Sequence, residues 1–297
     1  MVRHFLDVDD LSVAELHDVL DTAAALKAGE HPAESPLADE SLTMVFEKPS
    51  TRTRVSFETG MTSLGGHAVF LGPDDIGLHG REPIRDIARV LSRYGSATMV
   101  RLFDHADAEE MAEYATTPVI NGLTDDAHPC QTLADLLTIR ELFGDFDAEV
   151  AWVGDGNNVA QSFAVGAAMV GLDLTVATPV GYELDEDVLA RAGEYEGNVA
   201  TTHDPEQAVA GADVVYTDVW VSMGEEDRRE QKLSAFDGFQ VNADLLAGSD
   251  ATVLHCLPAH RGEEITDGVL ESDQSVVWQQ AENRKHAQCG LLVELLG

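Results

Sequence analysis

Residues 150–177 read VAWVGDGNNVAQSFAVGAAMVGLDLTVA, and they carry the clearest sign of how the chain folds. Two apolar runs, Val150–Val153 and Leu172–Ala177, are predicted strands, and a turn rich in glycine and asparagine follows the first. Strands that alternate with helices along a chain predict parallel sheets with helices on both faces. The alternation extends in both directions, with further strands predicted at Leu42–Phe46, His67–Leu71, Ala97–Leu102, Thr117–Ile120, Val214–Asp218 and Thr252–Cys256.

The sequence therefore predicts an α/β fold with two doubly wound parallel-sheet domains joined by helices. A helix over Pro129–Phe143 ends at a glycine, and Gly144–Ala148 is the predicted hinge. We expect a first domain at residues 1–143 and a second at residues 144–274, with a last helix around Gln279–Leu295.

Charge is the most unusual feature of the composition. The 297 residues contain 54 Asp and Glu against 18 Lys and Arg, a formal net charge of -36, yet 44% of them are hydrophobic. That apolar content excludes a disordered acidic chain, and the negative charge disfavours non-specific binding to nucleic acid. At about 1 M salt the screening length falls to roughly 3 Å, so a surface this acidic predicts a halophilic protein.

The sequence predicts a cytoplasmic protein without a membrane anchor. The N-terminus has no apolar signal core, and the longest nearly apolar run, Phe163–Leu172, is too short to cross a bilayer. Three cysteines, Cys130, Cys256 and Cys289, are too few for a disulfide scaffold, and their spacing matches no metal-binding pair. We therefore predict no metal site.

An anion site is predicted where the strand at Leu42–Phe46 ends. Residues 50–54 read STRTR and open a helix, whose free N–H groups, hydroxyls and Arg52 suit a phosphate or carboxylate. Seven of the 14 arginines lie between positions 52 and 101, and Arg101 follows another strand core. The alternative is a capped helix with surface arginines paired to carboxylates. We favour that alternative for Arg85, Arg89 and Arg93.

Polar residues also follow the other strands. A dinucleotide site after Val153 is disfavoured, because Val159 replaces the third glycine of that motif. For Cys256 the residues leave open a covalent nucleophile or an inert buried thiol. The remaining segments are His128 to Gln131 at a helix start, Asp155 to Asn158, Asp218 with the loop Ser222 to Gly224, and His255 to Pro258.

In this order and spacing, the motifs resemble the ornithine carbamoyltransferases from about Phe46 to Ala287. The STRTR and His128 segments also fit aspartate carbamoyltransferases, whereas the Ser222 to Gly224 loop and the Cys256-Leu257 pair resemble the ornithine branch. The resemblance implies transfer of the carbamoyl group of carbamoyl phosphate to L-ornithine, giving citrulline and phosphate without a metal or organic cofactor. It also implies a homotrimer or a multiple of trimers.

The resemblance assigns roles residue by residue. The first domain, completed by the C-terminal helix at about residues 275–297, would bind carbamoyl phosphate, and the second would bind ornithine. Carbamoyl phosphate would contact Ser50, Thr51, Arg52, Thr53, Arg101, His128, Gln131, Cys256, Leu257 and Arg284. Ornithine would contact Asn158, Asp218, Ser222 and Met223. The implied catalytic residues are Arg101, His128 and Cys256.

One position departs from the family pattern. Many relatives place a glutamine, supplied to the neighbouring subunit's phosphate, where this sequence has Gly77. His79 or Arg81 would then replace it.

The chemistry agrees with these roles. Carbamoyl transfer needs donors on the leaving phosphate and the carbonyl oxygen, and an amine that has lost its proton. We interpret Cys256 as a positioning or proton-accepting group. Two alternatives stay open: a catalytically silent anion-binding homologue, and an enzyme that uses putrescine as acceptor.

Overall fold

The computed structural model describes residues 2–31, 33–80, 82–144 and 146–297, apart from the side chain of Glu226. The chain divides into two compact units. The first consists of Met1–Leu137 and Asn283–Gly297, and the second of Thr138–Glu282. Both boundaries fall within helices, so the first unit is built from two separate parts of the chain.

Among its described residues, the first unit contains a four-stranded parallel sheet in the order β2-β1-β3-β4. The strands are β1 (Ser41–Phe46), β2 (His67–Leu71), β3 (Ala97–Arg101) and β4 (Val119–Leu123). The helices are α1 (Val13–Ala28), α2 (Thr51–Ser63), α3 (Pro73–Ile76), α4 (Ile84–Tyr94), α5 (His105–Tyr114) and α6 (Pro129–Phe143), the last running into the second unit.

The core of the first unit lies where helices α4 and α5 cover the sheet. Ile84, Ile87 and Ala88 are buried on α4, where their i, i+3, i+4 spacing places them on one face of the helix. They pack in one cluster with Val45 and Val100 of the sheet. The first unit therefore buries its apolar helix faces on a parallel sheet.

The C-terminal helix α12 (Val277–Leu296) packs tightly in the first unit through Gly290. A Cβ atom at Gly290 would lie 2.4 Å from the carbonyl oxygen of Val19 and 2.9 Å from the Cβ of Ala23. Because both of those residues belong to α1, the first and last long helices of the chain are in close contact.

Among its described residues, the second unit contains a five-stranded parallel sheet in the order β7-β6-β5-β8-β9. The strands are β5 (Glu149–Val153), β6 (Asp173–Ala177), β7 (Asn198–Thr202), β8 (Val214–Thr217) and β9 (Thr252–His255). The helices are α7 (Asn158–Met169), α8 (Glu186–Ala192), α9 (Pro205–Val209), α10 (Arg229–Ala235), α11 (Asp267–Leu270) and α12.

The predicted fold class is confirmed, and three details differ from the prediction. The strand β7 was not predicted, because its residues are polar and only partly buried at the sheet edge. The strand β4 begins two residues later than expected, and β3 ends at Arg101, one residue before the predicted Leu102. None of the described helices has the length and apolar character needed to cross a membrane.

Each sheet has a point where the direction of winding reverses. In the first unit it lies between β1 and β3, and in the second between β5 and β8. Doubly wound sheets bind ligands beyond the carboxyl ends of the strands at such points. The segments after β1 and β5, and the ends of β3 and β8, are therefore where a site is expected in each unit.

Candidate active site

In the first unit, the N-terminus of α2 forms an anion cradle beyond strand β1. Ser50 is the N-cap, and its Oγ accepts from the backbone N–H of Thr53 at 3.2 Å and donates to Thr53 Oγ1 at 3.1 Å. Thr51 is exposed in the first turn. The unpaired N–H groups of this turn carry the positive end of the helix dipole, which favours a negatively charged ligand.

Arg52 adds an incompletely satisfied donor to this cradle. Its Nε is buried and has no hydrogen-bond partner among the described residues. Its neighbour Arg54 faces elsewhere, pairing with Glu58 and stacking on the ring of Phe70 at 3.8 Å. A buried guanidinium donor without a protein acceptor is suited to an oxygen of a bound anion.

Two further arginines and a histidine lie in the same unit. Arg101 and Arg284 are buried, and Arg284 Nη2 donates to Thr53 Oγ1 at 3.0 Å, which brings α12 to the start of α2. Burial lowers the pKa of His128 well below its usual value, and the charges of Arg284 and Arg101 lower it further. His128 is therefore a neutral imidazole between two cations, a polar group suited to a carbonyl oxygen or an amide.

Gln131 lies in the first turn of α6 and is fully buried. Its Nε2 donates to Asp135 at 2.7 Å, which fixes the orientation of the amide. Its Oε1 is buried and accepts no hydrogen bond from the described residues. This oxygen can accept from the N–H of an amide ligand.

Lys48 is a cation of this region that the sequence prediction missed. It is 2% exposed, pairs with Asp125, and lies 4.4 Å from the ring centre of Phe103. The signal was present, since only four lysines occur in the chain and this one lies two residues before the STRTR motif.

The region around Gly77 contains few groups aimed at a ligand. Gly77 ends α3 in the left-handed conformation with φ 59°. His79 Nε2 lies 2.6 Å from Asp107, and this hydrogen bond raises the pKa of His79. Arg81 lies outside the described residues. The predicted pairing of Arg85 and Arg89 with acids is confirmed by contacts to Glu110 at 3.9 Å and Asp86 at 3.0 Å.

In the second unit, Asp218 is the centre of a polar cluster beyond strands β5, β8 and β9. One carboxylate oxygen accepts from Asn157 Nδ2 at 2.9 Å, and the other accepts from Cys256 Sγ at 2.9 Å. Asn157 also caps α7, so the cluster is fixed to a helix start. Asn158 follows as the first residue of α7 and is half-buried. The arrangement offers a carboxylate for an ammonium group beside a thiol.

Two buried side chains, those of His255 and Glu264, form a hydrogen-bonded pair next to the Cys256-Leu257 segment. His255 Nε2 lies 3.0 Å from Glu264 Oε1, and both side chains are fully buried. Because the Leu257 N–H donates to His255 Nδ1 at 2.9 Å, that nitrogen carries no proton and Nε2 is the donor. Leu257 itself has φ 59°, a strained conformation that is common at functional sites. The sequence prediction missed Glu264.

Glu225, which follows the Ser222 to Gly224 loop, fixes the loop through hydrogen bonds. Glu225 Oε2 accepts from the Ser222 N–H at 3.1 Å and from Lys232 Nζ at 2.5 Å. Ser222 is half-buried, whereas 47% of Met223 is exposed. The loop therefore presents an apolar side chain outward while its backbone is held by an acid.

Asp218, His255 and Cys256 have potential metal-ligand atoms within 4.8 Å of one another. Cysteine spacing alone did not predict this grouping, because Asp218 is far away in sequence. The hydrogen bonds described above use both ring nitrogens of His255 and the thiol. The three side chains are therefore already engaged, Cys256 with Asp218 and His255 with Glu264 and the Leu257 N–H.

Comparisons with known proteins agree on one family. The model of the carbamoyl-P binding domain of aspartate/ornithine carbamoyltransferases matches residues 3–141, and that of the Asp/Orn binding domain matches residues 147–295. An ornithine carbamoyltransferase of Haloquadratum walsbyi is 63% identical, over 99% of this chain and 97% of that protein.

Solved structures give the same result. The ornithine carbamoyltransferase of Pyrococcus furiosus superposes with a TM-score of 0.94 at 49% identity, covering 99% of this chain and 97% of that one. The enzyme of Thermus thermophilus gives a TM-score of 0.91 at 44% identity, with both chains covered completely.

Proposed function

The chain belongs to the aspartate/ornithine carbamoyltransferase family, and on that premise we propose that it is an ornithine carbamoyltransferase. It transfers the carbamoyl group of carbamoyl phosphate to the side-chain amine of L-ornithine, giving L-citrulline and phosphate. The observation that carries this function is the carboxylate–thiol cluster of Asp218 and Cys256 in the second unit, which offers an acid for an ammonium group; the first unit has an anion cradle of its own.

The first unit supplies the carbamoyl phosphate site. Its phosphate is held by the N-terminal turn of α2, with Ser50, Thr51, Arg52 and Thr53 as ligands. Arg101, His128 and Arg284 contact the carbamoyl end, where developing negative charge on the carbonyl oxygen is stabilised by fixed donors. The neutral state of His128 and the open acceptor of Gln131 support recognition of an uncharged amide.

The second unit supplies the ornithine site. Asp218 binds the α-ammonium group, and Asn158, Ser222 and Met223 hold the rest of the amino-acid head group. The side-chain amine has an ordinary pKa of about 10.4 by analogy with lysine, so it must lose a proton before it attacks. Cys256 donates its S–H to Asp218 at 2.9 Å and positions that amine, or accepts its proton after passing its own to Asp218, while Leu257 borders both substrates.

The activity is tested by measuring citrulline formed by the purified protein in molar salt. We expect citrulline to form from ornithine at least tenfold faster than putrescine or aspartate is carbamoylated. Arg52→Ala should abolish turnover, with Arg54→Ala as the control on the same helix. Faster carbamoylation of another acceptor would overturn the ornithine assignment, and absence of turnover would favour a silent anion-binding homologue.

We further propose a homotrimer or a multiple of trimers, working in a halophilic cytoplasm. In the first unit β2 is an edge strand, and Val69 on it and Val55 on α2 are 42% and 49% exposed. Apolar side chains at a sheet edge favour association with another copy. Sedimentation at molar salt should give about three times the 32.0 kDa chain mass or a multiple; a monomer would contradict the trimer. The charge of -36 supports the salt-rich environment.

A further inference from the structure

Lys232 on α10 is a buried cation in the second unit. It is 4% exposed, and its Nζ lies 2.6 Å from Asp155 Oδ2 and 2.5 Å from Glu225 Oε2. Its ammonium also lies 5.7 Å from the ring centre of Tyr182. Burying an ammonium group is costly unless it is paired, and here two acids from separate segments provide the pairing.

The two acids belong to the segments proposed to hold ornithine. Asp155 begins the turn that leads to Asn157, and the amide of Asn157 donates to Asp218. Glu225 accepts from the backbone of Ser222. Through one ammonium group, Lys232 therefore joins the turn after β5 to the loop after β8.

The charges of this region explain why a cation is needed. Asp155, Glu225 and Asp218 bring three carboxylates together, and Lys232 is the cation that contacts two of them. Burial raises the pKa of Asp155 to about 6, and Lys232 opposes that effect while Glu225 and Asp218 add to it. Burial by itself would lower the pKa of Lys232, but attraction to Asp155 and the hydrogen bonds to both acids raise it.

We propose that Lys232 is a specificity-determining residue, which cancels part of this negative charge so that the site accepts an amino acid in preference to a diamine. Ornithine carries two ammonium groups and one carboxylate, whereas putrescine carries two ammonium groups only. With Lys232 present, Asp218 binds one ammonium while the substrate carboxylate is not repelled by unpaired acids. Without Lys232, three carboxylates would favour the dication. This inference rests on the proposed function, because it concerns the acceptor of the same reaction.

The test compares the KM for ornithine with the inhibition constant of putrescine as a competitor, at about pH 8, two units above the pKa of Asp155. Lys232→Met is expected to raise the KM for ornithine at least tenfold and to tighten putrescine binding, with the KM for carbamoyl phosphate unchanged within about twofold. The control is Arg229→Met on the same helix, which removes a cation paired with Glu263 and should change neither constant.

A second variant separates charge from geometry. Lys232→Met combined with Asp155→Asn removes one positive and one negative charge, so the net charge of the cluster returns to its native value. It should return the ratio of the KM for ornithine to the inhibition constant of putrescine to within about threefold of its native value. A purely structural role for Lys232 predicts no such recovery.

Glu225→Gln covers the case in which Lys232→Met fails to fold. This change lowers the negative charge while its side-chain oxygen can still accept from Ser222, so it should weaken putrescine binding at least threefold. The inference would be overturned if Lys232→Met or Glu225→Gln left the ratio of the KM for ornithine to the inhibition constant of putrescine unchanged. It would also be overturned if the double variant showed no recovery of that ratio. If the native protein makes no citrulline, the proposed function fails instead, so the two failures are distinguishable.

Discussion

Replacing Glu264 by glutamine and by alanine tests whether the buried His255–Glu264 pair depends on hydrogen bonds or on charge. Glu264 Oε1 accepts from His255 Nε2 at 3.0 Å and from the His260 N–H at 2.6 Å. Its second oxygen is buried without a hydrogen-bond partner among the described residues. Because the Leu257 N–H donates to the other ring nitrogen, the geometry assigns a neutral imidazole to His255.

The two variants should therefore differ widely in stability. Glutamine keeps an acceptor at the Oε1 position and removes a buried charge that lacks a cationic partner, but its amide N–H groups replace an oxygen that has no partner, so the free energy of unfolding should fall by about 1 to 2 kcal/mol. Alanine leaves the His255 N–H unpaired in a cavity, which costs about 3 to 5 kcal/mol. For a unit of this size that loss lowers Tm by roughly 6 to 20 °C.

Thermal and urea unfolding in molar salt, followed by circular dichroism, give both quantities. Citrulline formation provides a second measurement, since loss of the His255 contact frees the backbone of Leu257. The kcat of Glu264→Gln should stay within about threefold of the native value, and that of Glu264→Ala should fall at least tenfold. If glutamine proves as harmful as alanine, the carboxylate charge is required and the neutral assignment of His255 is wrong.

Four further predictions follow from the contacts and charges already described. Ser50→Ala removes the N-cap of α2 and should cost about 1 kcal/mol in urea unfolding while raising the KM for carbamoyl phosphate; an unchanged KM would exclude Ser50 from the site. Cys256→Ala should leave Tm within a few degrees and lower kcat, and a full rate would exclude a role in proton transfer. Burial raises the pKa of Asp155 from 3.8 to about 6, so native protein binds more protons than unfolded chain in that window. The contribution of this carboxyl to the free energy of unfolding therefore falls as pH rises from 3.8 to about 6. In urea titrations, Asp155→Asn should make the free energy of unfolding depend less on pH in that range. Activity and Tm should rise from low to molar salt, and loss of structure on adding salt would contradict the proposed habitat.

The sequence predicted those features in which local pattern and tertiary environment agree. The strands β1, β2 and β5 and the helix α6 were found because apolar runs end at glycine or at polar turns. The strand β4 was misplaced because it contains Asn121 and Gly122, residues typical of turns. Asn121 is fully buried there, and its amide donates to the carbonyl of Leu6, a contact more than a hundred residues away in sequence. No local pattern contains such a partner.

Buried charges were the hardest features to predict. In a chain with 54 acids, Glu264 and Glu225 are indistinguishable from surface residues by type. Lysine was more informative, since Lys48 and Lys232, two of only four, are both nearly inaccessible. Because lysine is scarce in so acidic a chain, each lysine is a candidate for a specific contact, and that argument would have included both positions.

The close contact between α12 and α1 has a consequence for how the protein is made. Because residues 283–297 belong to the first unit and Gly290 packs on Val19, that unit lacks part of its interior until those residues have been made. Residues 138–282 are contiguous and are synthesised before them. During vectorial synthesis the second unit is therefore able to fold first, although its coding sequence comes later. Residues 1–137 must wait in an unfinished state for residues 283–297 to leave the ribosome.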